Sequence, residues 1–463
     1  MHALDDTIAA IATAPGAAGL AVLRVSGGCA LAVADAVFRG SEALAGQRGH
    51  TLHHGWAVWP DEREERIDEV VAAVFRAPRS YTREDVVELS CHGGPLTARR
   101  LLDALIAAGA RLARPGEFTL RAFLSGRLDL AQAEAVADLI QAETGAARDL
   151  ALSQLAGKLS ERLAVIEEGI VDATAETEAR VDFAEDVGGI EVPPHVVAAI
   201  ESADAALAAL LEGSDYARAV REGIRVPVIG RPNAGKSSLF NALLGENRAI
   251  VASIPGTTRD RVSEAIELAG VRVTLSDTAG LRATRAAVES LGIERTRAAI
   301  AESRLTLWVV DAAAPLGEAD REIAATLTGR GVLVALNKSD LPRRAEVGRI
   351  EEWLDGSPRE TVEVSARRGD GMDALRAALA GLLGTGGPPA AVTLAVANPR
   401  HVESLSHARA ALRRAREAAD RGAPGEIVAL ELRESLEAIG EVTGRSASEE
   451  LLDRIFHRFC IGK

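Results

Sequence analysis

Apolar and polar positions divide the chain into three kinds of stretch. Up to about residue 125, β-type runs such as "AGLAVLRVSG", "EVVAAVFRAP" and "DVVELSCHGG" mix with the helical period of "LTARRLLDALIAAGA", which predicts an α+β domain. From Leu128 to about Tyr216 apolar residues recur at helical spacing, with one break expected near "EDVGGIEVPP". From Ile224 to about Leu383 apolar strands alternate with helices, the pattern of a parallel α/β sheet. The linker "GTGGPPA" leads to a last helical segment through Leu452. Helices on both flanks of an α/β block most simply mean a domain inserted into a helical one.

The uncharged stretch from Thr7 to Leu23 has the look of a signal peptide. Asp5 and Asp6 stand where positive charge is expected, and Pro15-Gly16 interrupts it, so it reads as two strands and a turn. No other uncharged run approaches the roughly 18 apolar residues that span a bilayer. We therefore expect a cytoplasmic protein without a membrane segment. Cys29, Cys91 and Cys460 are odd in number, far apart and without CxxC spacing, which argues for a reducing compartment and against a disulfide frame or zinc site. A net charge of −14 gives no global attraction for a polyanion, so nucleic acid would need a local basic face. Of 53 basic side chains only four are lysine, Lys158, Lys236, Lys338 and Lys463. In so arginine-rich a chain, lysine mainly marks positions where a compact ammonium does what a planar guanidinium cannot, which makes Lys463 a candidate; a single lysine is also kept by chance, as Lys158 on a helix reads.

Two of those lysines lie in nucleotide motifs. "VPVIGRPNAGKSSLFNALLG" is a strand, a G-x-x-x-x-G-K-S loop from Gly230 to Ser237, and a helix, so its backbone N–H groups converge on phosphates at a helix N-terminus. Lys236 would reach the β and γ phosphates, and the Ser237 hydroxyl would ligate Mg²⁺. This loop alone does not separate ATP from GTP. "NKSD", Asn337 to Asp340 after the strand "GVLVAL", does: its aspartate accepts from guanine N1–H and the 2-amino group, a donor pair adenine lacks. "DTAG" closes the strand "VRVTLS", placing Asp277 for Mg²⁺ and the Gly280 N–H for the γ-phosphate. "IPGTTRD" offers the Thr258 hydroxyl to Mg²⁺ from a switch loop, and "VEVSA" supplies a guanine-side loop at Ser365 and Ala366. Five motifs in this order predict a Ras-like GTPase domain. Leu281 after Gly280 cannot orient water as a glutamine would. Glu289 in "AAVESLGIER" is the nearest carboxylate a folding loop could deliver, or else an exposed glutamate at a helix start.

These motifs, with "DTIAAIATAPG", "RPGEFTLRAFLSGRLDLAQAEAVADLI" and the terminal "FCIGK", resemble the tRNA modification GTPases called MnmE or TrmE across nearly the whole chain. The resemblance implies an N-terminal folate-binding and dimerisation domain at 1–126, helical segments at 127–219 and 387–463, and an inserted G domain at 220–386. It implies GTP bound by Asn233, Ala234, Gly235, Lys236, Ser237 and Ser238, by Ala252, Ser253, Ile254, Pro255, Gly256, Thr257 and Thr258, by Asp277, Thr278, Ala279 and Gly280, by Asn337, Lys338, Ser339 and Asp340, and by Ser365 and Ala366. K⁺ at Asn233, Ala252, Ile254 and Thr257 would replace an arginine finger when two G domains pair, with Glu289 orienting water. The implied reaction adds a carboxymethylaminomethyl-type group at carbon 5 of the wobble uridine of certain tRNAs. It uses a tetrahydrofolate one-carbon unit and a flavin-containing partner of the MnmG or GidA type, working with a homodimer.

Folate contacts map by resemblance to Arg24, Glu88, Arg127 and Lys463. A carboxylate suits the aminopyrimidine edge of a pterin and cations suit the glutamate tail; the family usually has lysine at the position of Arg127. "FCIGK" is not a prenylation box, since Gly462 is not aliphatic and lysine is not a usual last residue. We expect it to fold back to the one-carbon site with Lys463 as ligand. Cys460 beside it is either a nucleophile or a structural thiol, and we leave it outside the catalytic set. Arg409, Arg413 and Arg416 share one helical face, a phosphate track or an ordinary solvated charge stripe. The rival readings are a switch GTPase acting on an assembly such as the ribosome without one-carbon chemistry, and a P-loop kinase, which "NKSD" opposes.

Overall fold

The computed structural model describes residues 6–182, 191–245, 263–277, 303, 305–329, 331–355, 359–383 and 395–463. The chain divides into two compact units, one of residues 1–137, 154–174 and 429–463, the other of 138–153 and 175–428.

The first unit carries a mixed sheet. Its strands are β1 (Ile8–Ile11), β2 (Leu20–Ser26), β3 (Phe38–Gly40), β4 (Thr51–Val58), β5 (Arg66–Phe75), β6 (Val86–His92) and β7 (Arg111–Leu112), in the order β3-β4-β5-β6-β2-β1-β7. Thr7 to Leu23 is indeed two antiparallel strands, with Ala10 opposite Arg24. Alternation along the strands separates two faces. Ala21, Leu23, Val25, Val70, Ala72, Val74, Val87 and Leu89 pack into a core with Leu101 and Leu105 of the helix Pro95–Ala107 and with the helix Ala30–Val37. The other face presents Leu20, Leu52, Trp56 and Val71, with Leu20 63% and Leu52 73% exposed. Arg24 and Glu88 lie opposite each other across β2 and β6 on that second face, which is covered at β1, where Ile8 and Ala10 pack with Phe118.

A buried ionic network ties the start of the chain to the helix Glu117–Leu124. Arg121, 2% exposed, donates to Asp6 at 2.5 Å and to Glu84 at 3.1 Å, and Glu84 accepts from Ser26 at 2.6 Å. Arg111 donates to Asp6 and to Glu117, each at 2.7 Å. Burial alone would raise the Glu117 carboxyl, but the Arg111 guanidinium and the Arg114 N–H outweigh it and hold its pKa below the ordinary value. The Asp6 carboxyl is lowered chiefly by its hydrogen bond from Arg111.

The second unit carries the parallel sheet. Its strands are β8 (Ile224–Ile229), β9 (Ser263–Leu268), β10 (Val271–Asp277), β11 (Leu305–Asp311), β12 (Gly331–Asn337) and β13 (Arg359–Val364), in the order β13-β12-β11-β8-β10-β9, with only β9–β10 antiparallel. β11 and β12 are buried almost throughout, as strands covered on both faces must be. Pro227 sits inside central β8, where a missing N–H is normally excluded; pairing with β11 starts only at Val228, one residue beyond it.

The helical run has more breaks than its periodicity predicts. It forms helices Leu130–Gln141, Gly145–Leu155 and Lys158–Asp182, then Pro194–Leu211 and Ser214–Glu222. Gly157, at φ +83°, provides the second of these breaks in a backbone region that side chains disfavour. The expected break near "EDVGGIEVPP" lies mostly outside the described residues. Among the described residues no helix is long and apolar enough to cross a membrane.

Because the Glu117 carboxyl is lowered in the folded state, its ionic stabilisation is complete above the unfolded value near 4.5 and is lost as pH falls through the lower folded value. Glu117→Gln should therefore destabilise at pH 7, and the gap to wild type in urea midpoint should close on acidification. A gap independent of pH would refute the ionic account.

Candidate functional site

The parallel sheet delivers the nucleotide motifs to one edge. The phosphate loop runs from the end of β8 into the helix Lys236–Leu244, "NKSD" follows β12, and Ser365-Ala366 follows β13. Asn337, 2% exposed, joins them: its amide N–H donates to the Ala234 carbonyl at 3.0 Å, and its carbonyl accepts from the Ala366 N–H at 3.0 Å. Gly235, at φ +92°, passes so close that a Cβ there would lie 2.1 Å from the Asn337 amide nitrogen. No other residue fits the loop at that point.

Both motif lysines work on backbone. Lys236 Nζ donates to the carbonyls of Gly230 at 2.7 Å and Arg231 at 2.9 Å, within its own loop. Lys338 Nζ donates to the Asn233 carbonyl at 2.9 Å and to Asp311 at 2.6 Å. Asn233 and Lys338 both hold positive φ, at +63° and +68°, which such cross-links help maintain. Asp340 accepts from the buried Ser365 hydroxyl at 2.7 Å, which lowers its pKa and keeps it an anion at neutral pH. Ser237 and Ser238 are exposed in the first turn of the helix, with oxygen donors of the kind Mg²⁺ takes.

The remaining nucleotide residues are only partly described. Asp277 ends β10 opposite Val228. Ala252, Ser253, Ile254, Pro255, Gly256, Thr257, Thr258, Thr278, Ala279, Gly280 and Glu289 lie outside the described residues. Sequence reading missed two groups that brace the loop. Asp311, at the carboxyl end of the apolar run "LTLWVVD", was signalled by its place at a strand end. Asp320, 1% exposed, takes the Arg231 guanidinium at 3.0 Å and the Gly317 N–H at 2.9 Å, tying the phosphate loop to the helix Glu318–Leu327. Nothing local in the sequence announces that pairing.

The four expected folate contacts fall in the first unit. Arg24 donates to Glu88 through two nitrogens, each at 2.8 Å, and to the Gly462 carbonyl at 3.4 Å. Gly462 is buried at φ +93°, and a Cβ on it would lie 2.5 Å from the Ile11 carbonyl, so the chain end is laid against β1. That brings Lys463, one residue further, beside Arg24. Arg127, exposed after the helix Glu117–Leu124, has its guanidinium carbon 4.8 Å from the Tyr81 ring centroid and donates to the Tyr81 carbonyl at 3.1 Å. Arg24 lies 5.3 Å from the same centroid. The Cys460 side chain is exposed, and its carbonyl accepts from the Gly116 N–H at 3.4 Å.

The arginine stripe faces acid. Arg409 and Arg413 pair with Asp204 at 2.8 and 3.5 Å, and Arg416 pairs with Glu201 at 2.8 Å, all across to the helix Pro194–Leu211. A phosphate track expected there is largely neutralised, because the facing helix supplies carboxylates that one helix's periodicity cannot reveal.

A parallel sheet carrying a phosphate loop and a guanine-type N-K-x-D loop on one edge defines a P-loop GTPase. Residues 7–127 match the family described as GTP-binding protein TrmE N-terminus, and residues 130–460 match the MnmE helical domain. Three relatives bear the name tRNA modification GTPase MnmE. That of Symbiobacterium thermophilum is 48% identical over 99% of this chain and 100% of its own length; that of Chloroflexus aurantiacus is 45% identical over 99% and 100%. That of Geobacillus kaustophilus is 41% identical over 99% of both. The chain belongs to the MnmE family of tRNA modification GTPases.

Asp320→Ala strands the Arg231 guanidinium beside the phosphate loop and should cost about 2 kcal/mol, less than the roughly 3–5 kcal/mol of a fully buried pair because Arg231 is partly exposed. Urea unfolding followed through Trp308, fully buried in β11, measures it, and guanine nucleotide affinity should fall with it. An unchanged midpoint would show that Asp320 does not brace the loop.

Proposed function

We propose that this enzyme couples GTP hydrolysis to modification of carbon 5 of the wobble uridine in certain tRNAs. It works as a homodimer in the cytoplasm with a flavin-containing MnmG or GidA-type partner and a tetrahydrofolate one-carbon donor. The observation that carries this reading is the return of the chain end, through Gly462, to the Arg24–Glu88 pair. A switch GTPase without one-carbon chemistry gives no reason for this pair to meet the terminal segment.

Each implied group meets suitable chemistry. Glu88 is an anion for the aminopyrimidine edge of a pterin, while Arg127 and Lys463 are cations for a glutamate tail. Bound tetrahydrofolate supplies the one-carbon unit. The sheet face that carries Arg24 and Glu88 also carries Leu20, Leu52, Trp56 and Val71, an apolar surface suited to a second copy of the chain. In the G domain, Asp340 accepts from guanine, Lys236 and the loop N–H groups hold phosphates, and Ser237 and Thr258 hold Mg²⁺. Asn233, Ala252, Ile254 and Thr257 would hold K⁺, which would supply positive charge in place of an arginine finger, and Glu289 would orient water.

Two measurements test the hydrolytic half. Asp340→Asn keeps one acceptor for N1–H but sets a donor against the guanine 2-amino group, and should weaken GTP binding about 100-fold, roughly 2.7 kcal/mol, while improving binding of a xanthine nucleotide, whose 2-carbonyl accepts. Retained GTP affinity would move the guanine contact elsewhere.

GTP turnover should be several-fold faster in K⁺ than in Na⁺ at equal ionic strength. Glu289→Ala should lower it about 100-fold or more without loss of nucleotide affinity. Equal rates in the two salts would remove the cation mechanism. Absence of folate binding by the full-length protein would leave a GTPase without the one-carbon function.

A further inference from the structure

The chain has two tyrosines, Tyr81 and Tyr216, and Tyr81 stands at the meeting point of the Arg24 and Arg127 side chains. Its hydroxyl is hydrogen-bonded to Thr119 at 2.9 Å, and Thr119 is fully buried in the helix Glu117–Leu124. Its ring therefore has a fixed place. Arg24 needs little further help, since Glu88 and the Gly462 carbonyl already hold its guanidinium. Arg127 differs. It is exposed in the turn after Gly126, and its guanidinium lies against the Tyr81 ring and donates to the Tyr81 carbonyl. An exposed arginine samples many rotamers, and ordering it on a ligand opposes binding by up to about 2 kcal/mol. A planar guanidinium lying near an aromatic ring and donating to that residue's carbonyl is ordered beforehand; a lysine ammonium would not lie on the ring in this way.

We propose that Tyr81 is a positioning residue of the one-carbon donor site, presenting Arg127 to the anionic glutamate tail of the folate. The inference rests on the folate reading above and deepens it: the site favours folates with several glutamates, and Tyr81 acts on that preference through Arg127. Thr119 fixes the ring, the ring fixes the cation, and the cation meets the added carboxylates.

The test uses the full-length protein and titrates 5-formyltetrahydrofolate carrying one or five glutamates. The readout is the affinity gained by the longer tail. Wild type should show a clear gain that shrinks with salt. Tyr81→Phe keeps the ring but frees it from Thr119 and should lose part of that gain, whereas Tyr81→Leu should lose about five- to tenfold on the five-glutamate ligand and little on the short one. Arg127→Ala should show the same loss, and Tyr81→Leu combined with Arg127→Ala should be no weaker than Arg127→Ala alone. A tail gain unchanged in Tyr81→Leu, or losses that add in the double variant, overturns the inference while leaving folate binding intact. Wild type that binds neither folate overturns the folate reading and this inference together.

Discussion

The nucleotide edge depends on one side chain that has a donor and an acceptor on the same planar group. Asn337 is almost wholly buried, so each of its polar atoms needs a partner, and it finds them on two loops from opposite sides of β12. No aliphatic, acidic or basic residue could satisfy both a carbonyl and an N–H there. The phosphate loop and the loop after β13 are thereby held in register before any ligand arrives. Gly235 follows as a consequence, because the amide occupies the space where a Cβ would stand. Lys338 repeats the same device one residue on, joining Asn233 to Asp311.

In the first unit the organising constraint is an asymmetry of the sheet's two faces. Helices cover one face with a continuous apolar core; the other is open toward β4 and β5, where Leu52 and Trp56 stand, but is covered at β1 by Phe118, and the largely buried Arg24–Glu88 pair lies near that cover. A charged pair partly withdrawn from water is an environment in which a polar ligand gains from matched hydrogen bonds. The buried Arg121 network lies beneath, where it fixes Asp6 and hence the start of β1, the strand on which Gly462 rests. The terminus is thus located by packing of its backbone against Ile11, independently of any bond made by the Lys463 side chain.

Much of this was legible from sequence where the physics is local. Parallel strands buried on both faces read as unbroken apolar runs, and the phosphate loop, "NKSD" and "VEVSA" name their own chemistry by residue type and order. What stayed illegible depends on the partner across a gap. The short strands β3 and β7 have too few residues for periodicity to declare them. The break at Gly157 sits in a run whose apolar spacing continues through it. Asp320, Asp204 and Thr119 are ordinary residues in sequence, and only the fold sets them against Arg231, Arg409 and Tyr81.

The scarcity of lysine now has a structural reading. Lys236 reaches two carbonyls inside a loop that begins only six residues earlier, and Lys338 reaches a carbonyl and a carboxylate from a strained backbone position. Both tasks call for a small head with donors pointing in several directions, which an ammonium offers and a planar fork does not. Elsewhere guanidinium groups take over the flat contacts: two bonds from Arg24 that converge on one Glu88 oxygen, and the approach of Arg127 to an aromatic ring. Two of the four lysines thus follow geometry, while Lys158 begins an ordinary helix. If Lys463 only solvated the terminus, arginine would serve as well there as it does at 49 other basic positions. The Gly462 carbonyl accepts from Arg24, which fixes the backbone that carries this lysine near the Arg24–Glu88 pair.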